Sequence, residues 1–218
     1  MNSMSATFFP TEGIFSPSHI SRGKGQVICG VDLDDVLADS IPEWIKFADK
    51  ESKKMSWNID KLPYWVTRDH CDLYDLKKDV PYYYYRMLKE MYRQSETKSN
   101  LPLKESARFF LEDLKKRGYK IVIITKRGQS SSKITYNWLE RNILPFDEVI
   151  FDQNKHIRIL ERFPEMDFMI EDNRDIANLV GKWGYRVFLL NNEYNQGEVQ
   201  NNVVRIESLI QIILGGTH

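Results

Sequence analysis

The sequence predicts an α/β fold: a parallel sheet flanked by helices, with a small, mainly helical cap inserted after the first strand. Three observations predict it. Short β-branched apolar runs alternate with stretches of helical periodicity, the pattern of βαβ units. Three of those runs end on acidic or hydroxyl residues, at the strand ends where parallel sheets bind ligands. Residues 36–103 interrupt the alternation with a stretch far longer than a βα loop of about 2–6 residues.

The elements follow in order. Residues 1–25 mix Ser, Pro, Gly and Phe without periodicity and read as a loosely attached arm. Residues 26–31 form an apolar run that leads straight into Asp32, as a buried strand would. Residues 36–103 make up the inserted cap, rich in aromatics such as Trp44, Trp57, Tyr64 and Trp65, with helices expected around 40–50 and 81–93. The run Tyr82 to Tyr85 cannot present all its rings on one side of a helix, so some must pack inside the cap. The core is formed by 26–35 together with 104–218. There a helix over 104–117 is stopped by Gly118 and followed by the strand 119–125. Strands are expected at 148–151, 167–170 and 186–190. Helices are expected at 131–141, 155–162 and 174–183, with 206–214 as a closing helix.

Composition narrows the function classes. Hydrophobic residues are 42% of 218, enough for a sizeable core. Lys+Arg and Asp+Glu both number 31, and this balance argues against general nucleic-acid binding while leaving room for a local basic pocket. The two cysteines, Cys29 and Cys71, and the four scattered histidines show no zinc-ligand spacing, and such sparse cysteine fits a reducing compartment. No apolar run is long enough to span a bilayer, and the N-terminus lacks the order of a signal peptide, so the expected address is cytoplasmic.

The chemistry centres on Asp32-Leu33-Asp34-Asp35. Carboxylates at i and i+2 just past a strand can face one crevice, an arrangement that is costly without a cation. Mg²⁺ suits it, since it prefers oxygen ligands and binds a few carboxylates plus a phosphate. Asp32 is then the candidate nucleophile, forming an aspartyl-phosphate. Asp34 is the candidate acid and base for the leaving oxygen and the attacking water. Asp172, in the pair Glu171-Asp172, would complete the metal site from another strand end. Thr125 offers a hydroxyl to the phosphate; Lys126 beside it, and Lys155, offer positive charge. Tyr64-Trp65 is a candidate for stacking on a flat base, with core packing the competing role. Each residue has an ordinary structural role too. Acidic pairs after strands serve as turns and helix caps, Asp35 fits a turn, and Asp39 fits a cap for the next helix. The four positions in order, each beside its strand, favour a site.

On these motifs the chain resembles the haloacid dehalogenase (HAD) superfamily of phosphatases, over roughly residues 26–195. Asp32-Leu-Asp34-Asp-Val36 resembles the first motif, Thr125 the second, Lys155 the third and Glu171-Asp172 the fourth. The resemblance implies a Rossmann-like core and a phosphoaspartate route. It also implies Mg²⁺ held by Asp32, the backbone carbonyl of Asp34, and Asp172. Within the superfamily the chain is similar to the 5′(3′)-deoxyribonucleotidases and related bacterial 5′-nucleotidases. Tyr64-Trp65-Val66 resembles the segment that lines the base pocket there. Asp35 replaces the Gly usual in that group's first motif, and two further positions depart from it. Ser40 stands in place of a base-stacking aromatic, and the basic pair Lys126-Arg127 follows Thr125 where a small residue is usual. The expected partner is a small phosphorylated substrate, foremost a nucleotide, with no membrane and no nucleic acid; a homodimer stays open. The rival readings are a polynucleotide 3′-end phosphatase and a catalytically silent binding protein on the same scaffold. A dehalogenase fits less well, because Asp34 would have no alkoxide to protonate.

Overall fold

Residues 26–55 and 82–215 are described by a computed structural model of the protein. Six parallel strands form one sheet in the order β3-β2-β1-β4-β5-β6. They are β1 (Ile28–Val31), β2 (Lys120–Thr125), β3 (Glu148–Phe151), β4 (Phe168–Glu171), β5 (Arg186–Leu190) and β6 (Val203–Ile206). The strands read as unbroken apolar runs because both faces of the sheet are covered. In β2, Ile121 and Ile123 enter one buried cluster while Val122 and Ile124 enter the other. The period-2 alternation of a strand sorts them.

Among the described residues the α-helices are α1 (Ser40–Lys54), α2 (Tyr82–Arg93), α3 (Glu96–Ser99), α4 (Ala107–Lys116), α5 (Ser132–Arg141), α6 (Lys155–Arg162), α7 (Arg174–Lys182) and α8 (Ile210–Leu214). Gly118, with φ +83°, takes the left-handed turn that ends the α4 segment, and its N–H donates to Lys115 O at 3.0 Å. The expected closing helix over 206–214 is corrected by the structure. Ile206 ends β6, whose carbonyl accepts the Asn191 N–H at 2.7 Å, and the helix begins only at Ile210. One apolar stretch serves both elements, split by the bend at Glu207-Ser208.

Helices α1 and α2 pack on the core. Trp44 and Ala48 of α1, Leu88 and Tyr92 of α2, and Leu101 share the buried cluster of Cys29 and Val31 in β1. Tyr92 meets Trp44 edge-on, with ring centroids 5.1 Å apart. Tyr64, Trp65 and Val66 lie outside the described residues. Cys29 is a buried core thiol, and burial pushes its ionisation up, which leaves it unreactive. Among the described residues, no helix is long and apolar enough to cross a membrane.

The strand order positions the site. From β1 the chain adds β2 and β3 on one side and β4 to β6 on the other. The order therefore reverses between β1 and β4, and a crevice opens beyond their carboxyl ends. Asp32 follows β1, while Glu171 ends β4 and Asp172 follows it.

Candidate active site

Asp32 is the first residue past β1, and its N–H still donates to Ile170 O of β4 at 3.0 Å. The loop that follows separates its side chains by polarity. Leu33, Val36, Leu37 and Ala38 are wholly buried beneath it, and the loop is tied by Ala38 N–H to Leu33 O at 2.9 Å and Asp35 N–H to Ala38 O at 2.8 Å. Asp35 takes a left-handed conformation at φ 60°, which Asp adopts more readily than most residues. Its carboxylate accepts the N–H groups of Ser40 at 3.2 Å and Ile41 at 3.0 Å and the Ser40 hydroxyl at 2.6 Å. Asp35 thus serves as both turn and cap for α1. Asp39, expected as the cap, instead pairs with Lys104 at 3.3 Å.

Lys155, the first residue of α6 and 2% exposed, places its ammonium 2.7 Å from Asp32 Oδ1 and 2.6 Å from Glu171 Oε2. Carboxylate oxygens of Asp32, Glu171 and Asp172 all lie within 4.8 Å of one another. Asp172 Oδ2 accepts the Tyr194 hydroxyl at 2.7 Å, and its main-chain oxygen accepts Asn195 Nδ2 at 2.7 Å. Burial pushes the Asp32 carboxyl up to about 7, with Lys155 pulling against it and Glu171 adding to it. Asp172 is raised well above the usual range by burial and by Glu171, Asp32 and Asp35. Lys155 is raised because Asp32 and Glu171 outweigh the cost of its burial.

These groups fit a divalent cation. Asp32 and Glu171 share the Lys155 ammonium and the buried Asp172 lies beside them, so the three carboxylates, when all ionised, exceed that ammonium by two negative charges. Such an excess is costly unless protons or a metal offset it. The all-oxygen donor set suits Mg²⁺.

Thr125 ends β2 and is 1% exposed; its hydroxyl oxygen accepts the Arg127 N–H at 3.2 Å. The basic pair after it divides. Lys126 is exposed, whereas Arg127 is buried and turns onto Asp34. Arg127 Nε donates to Asp34 Oδ2 at 2.9 Å and Nη2 to Oδ1 at 2.6 Å, a bidentate pair. Lys98 of α3 donates to Asp34 Oδ1 at 2.7 Å. Burial opposes the charge on Asp34, but Arg127 and Lys98 win and hold the carboxyl below the usual range. Burial brings the Lys98 ammonium down to about 8 although Asp34 supports it. Ser40 carries no ring; instead the Tyr92 hydroxyl donates to its carbonyl at 3.3 Å.

The structure thus joins Asp32, Lys155 and Asp172 in one cluster and joins Asp34 to the loop that follows Thr125. It points Lys126 to solvent. Sequence reasoning did not find Lys98, nor the roles of Arg127, Glu171 and Tyr194. The i, i+2 spacing from Thr125 to Arg127, the same as that of Asp32 and Asp34, was the available signal for Arg127.

Comparison with known proteins bears on the family and the fold. Residues 26–213 match the family described as 5′ nucleotidase, deoxy (pyrimidine), cytosolic type C protein. A protein of Clostridium acetobutylicum named a nucleotidase is 25% identical over 178 residues, which are 82% of this chain and 86% of that protein. The structure of the HAD hydrolase YfnB from Bacillus subtilis, bound to magnesium, superposes with a TM-score of 0.63 at 14% identity, covering 89% of this chain and all of that one (100%). CbbY from Rhodobacter sphaeroides, in complex with phosphate, superposes with a TM-score of 0.60 at 14% identity, covering 86% and 97%. At such identities the two structures establish the shared HAD fold.

Proposed function

Because the chain belongs to the cytosolic type C 5′ nucleotidase family, a group of HAD-fold hydrolases, we propose that it is a magnesium-dependent phosphomonoesterase acting on (deoxy)nucleoside monophosphates through an aspartyl-phosphate on Asp32. The observation that carries this reading is the single Lys155 ammonium shared by Asp32 and Glu171, with Asp172 beside them, in the crevice where the strand order reverses.

In the reading, Asp32 Oδ attacks phosphorus as the ester bond breaks. Lys155 keeps that carboxylate aimed and balances charge on the transferring group. Thr125 donates its hydroxyl to a phosphate oxygen, and the exposed Lys126 draws the anion toward the mouth of the site. Asp34, which Arg127 and Lys98 hold ionised in the free site, takes a proton from the bound phosphate monoanion and passes it to the departing oxygen, then takes one from the water that frees Asp32. Mg²⁺, held by the carboxylates of Asp32 and Asp172 and the main-chain carbonyl of Asp34, would offset the buried negative charge and the charge of the phosphate. Tyr64, Trp65 and Val66 are assigned to the base. The family's description as cytosolic supports a cytoplasmic enzyme.

The test is phosphate release with and without Mg²⁺ across a panel of nucleoside monophosphates, sugar phosphates and oligonucleotide ends. Mg²⁺-dependent release from mononucleotides, absent in Asp32→Asn, is expected. No release from any ester, or full activity in that variant, overturns the reading.

A further inference from the structure

Helix α4 buries one face and leaves the other with an unusual surface. Ala107, Phe110, Leu111 and Leu114 pack into the core, whereas Phe109 is 52% exposed. Arg108 Nη2 donates to Asn142 O at 2.6 Å, which brings the end of α5 beside this turn of α4. Ile143 follows there, 71% exposed. It takes the left-handed position that closes α5, at φ 51°, with its N–H donating to Glu140 O at 2.9 Å and the Leu144 N–H to Leu139 O at 3.1 Å. Glycine is usual at that position, and a β-branched side chain is strained there. A strained apolar side chain held out in water is costly in the free protein, as expected of a contact residue.

The charges around Phe109 follow a regular order. Glu105, Arg108, Glu112 and Lys116 alternate in sign along the segment, and all four are exposed. Nearby, Lys104, Lys115 and Arg117 pair with Asp39, Asp147 and Asp113. Among the described residues, none of the four alternating charges has an ion-pair partner. Reversing the helix inverts the order of sign. A second copy, turned by a two-fold axis at the level of Phe110, sets Glu105 toward Lys116 of that copy and Arg108 toward its Glu112, and symmetry repeats both pairs. At about 1.5 Å per residue, Glu105 and Lys116 both lie roughly 8 Å from that level and Arg108 and Glu112 roughly 3 Å, so each pair matches in height. The two Phe109 rings then meet near the axis, inside a charged rim. A net charge of zero leaves no overall repulsion between copies.

We propose that the outer face of α4, with Phe109 and Ile143, is a self-association surface on which two copies of this chain pair α4 antiparallel to α4. Sedimentation velocity of the full-length chain at low ionic strength, from about 1 to 100 µM protein, tests it. The wild type is expected to pass from monomer to dimer in that range, as small interfaces do. Phe109→Ser should raise the dissociation constant about 30-fold. Ile143→Gly should weaken the dimer as well, yet raise the Tm of the dilute monomer by about 2–4 °C, because the strain is relieved. Two double variants test the order of charge. Glu105→Lys with Glu112→Lys makes the face wholly basic, and Arg108→Glu with Lys116→Glu makes it wholly acidic. Each should stay monomeric alone, and an equimolar mixture should dimerise again. A wild type that is monomeric at about 100 µM, a dimer left as tight by Phe109→Ser or Ile143→Gly, or a mixture no more associated than its parts overturns the proposal.

Discussion

The Lys155 ammonium lies between Asp32 Oδ1 at 2.7 Å and Glu171 Oε2 at 2.6 Å, so one buried cation bridges the candidate nucleophile after β1 and the last residue of β4. This pairing ties the two central strands together where the strand order reverses. It also makes Lys155 a structural residue as well as a functional one.

Lys155→Met should therefore cost stability along with activity. Removing one partner of a buried ion pair leaves charge uncompensated and costs about 3–5 kcal/mol. Urea unfolding of the metal-free protein should show a loss of that order, partly restored by Mg²⁺. An unchanged midpoint would mean that the buried carboxylates are balanced some other way.

The raised carboxyls predict how metal and proton compete. Asp32 sits at about 7 in the folded protein, and Asp172 is raised too, against an ordinary aspartate near about 4 in the unfolded chain. Between those values the folded state holds the more protons, so these groups take stability away as pH rises through that window. Mg²⁺ has to displace the same protons. The rise in Tm at saturating Mg²⁺ should be larger at pH 8 than at pH 5. Asp172→Asn should flatten the difference. Equal Tm shifts at the two pH values in the wild type would contradict the assignment.

Tyr194→Phe should weaken Mg²⁺ binding. The hydroxyl is 2.7 Å from Asp172 Oδ2 and orients a proposed ligand. Loss of such a supporting partner typically costs about 10–100-fold in metal affinity. Calorimetric titration of Mg²⁺ into the substrate-free protein measures it. Affinity equal to wild type would show that Asp172 needs no such support.

Much of the fold was readable because continuous β-branched runs such as 120–125 mark strands covered on both faces. Asp32, Thr125 and Asp172 were readable because each stands where a run ends. β6 was hidden because Val203–Ile206 shares its apolar character with the helix that follows it. The grip on Asp34 was hidden for another reason. Lys98 and Arg127 lie 64 and 93 residues away in sequence, and no local pattern reports pairing at that range. Asp35 was half legible: its turn was foreseen, but the cap was given to Asp39, the residue next to the helix, rather than to the side chain that reaches back.

The central claim is that Asp32 carries the phosphoryl group. Its most direct test is acid quenching of the enzyme during turnover of a nucleoside monophosphate with Mg²⁺, followed by mass spectrometry of its peptides. The account predicts one added phosphoryl on the peptide that contains Asp32, lost with turnover in Asp32→Asn. Full turnover in that variant, or a phosphoryl group found on another residue, would contradict it.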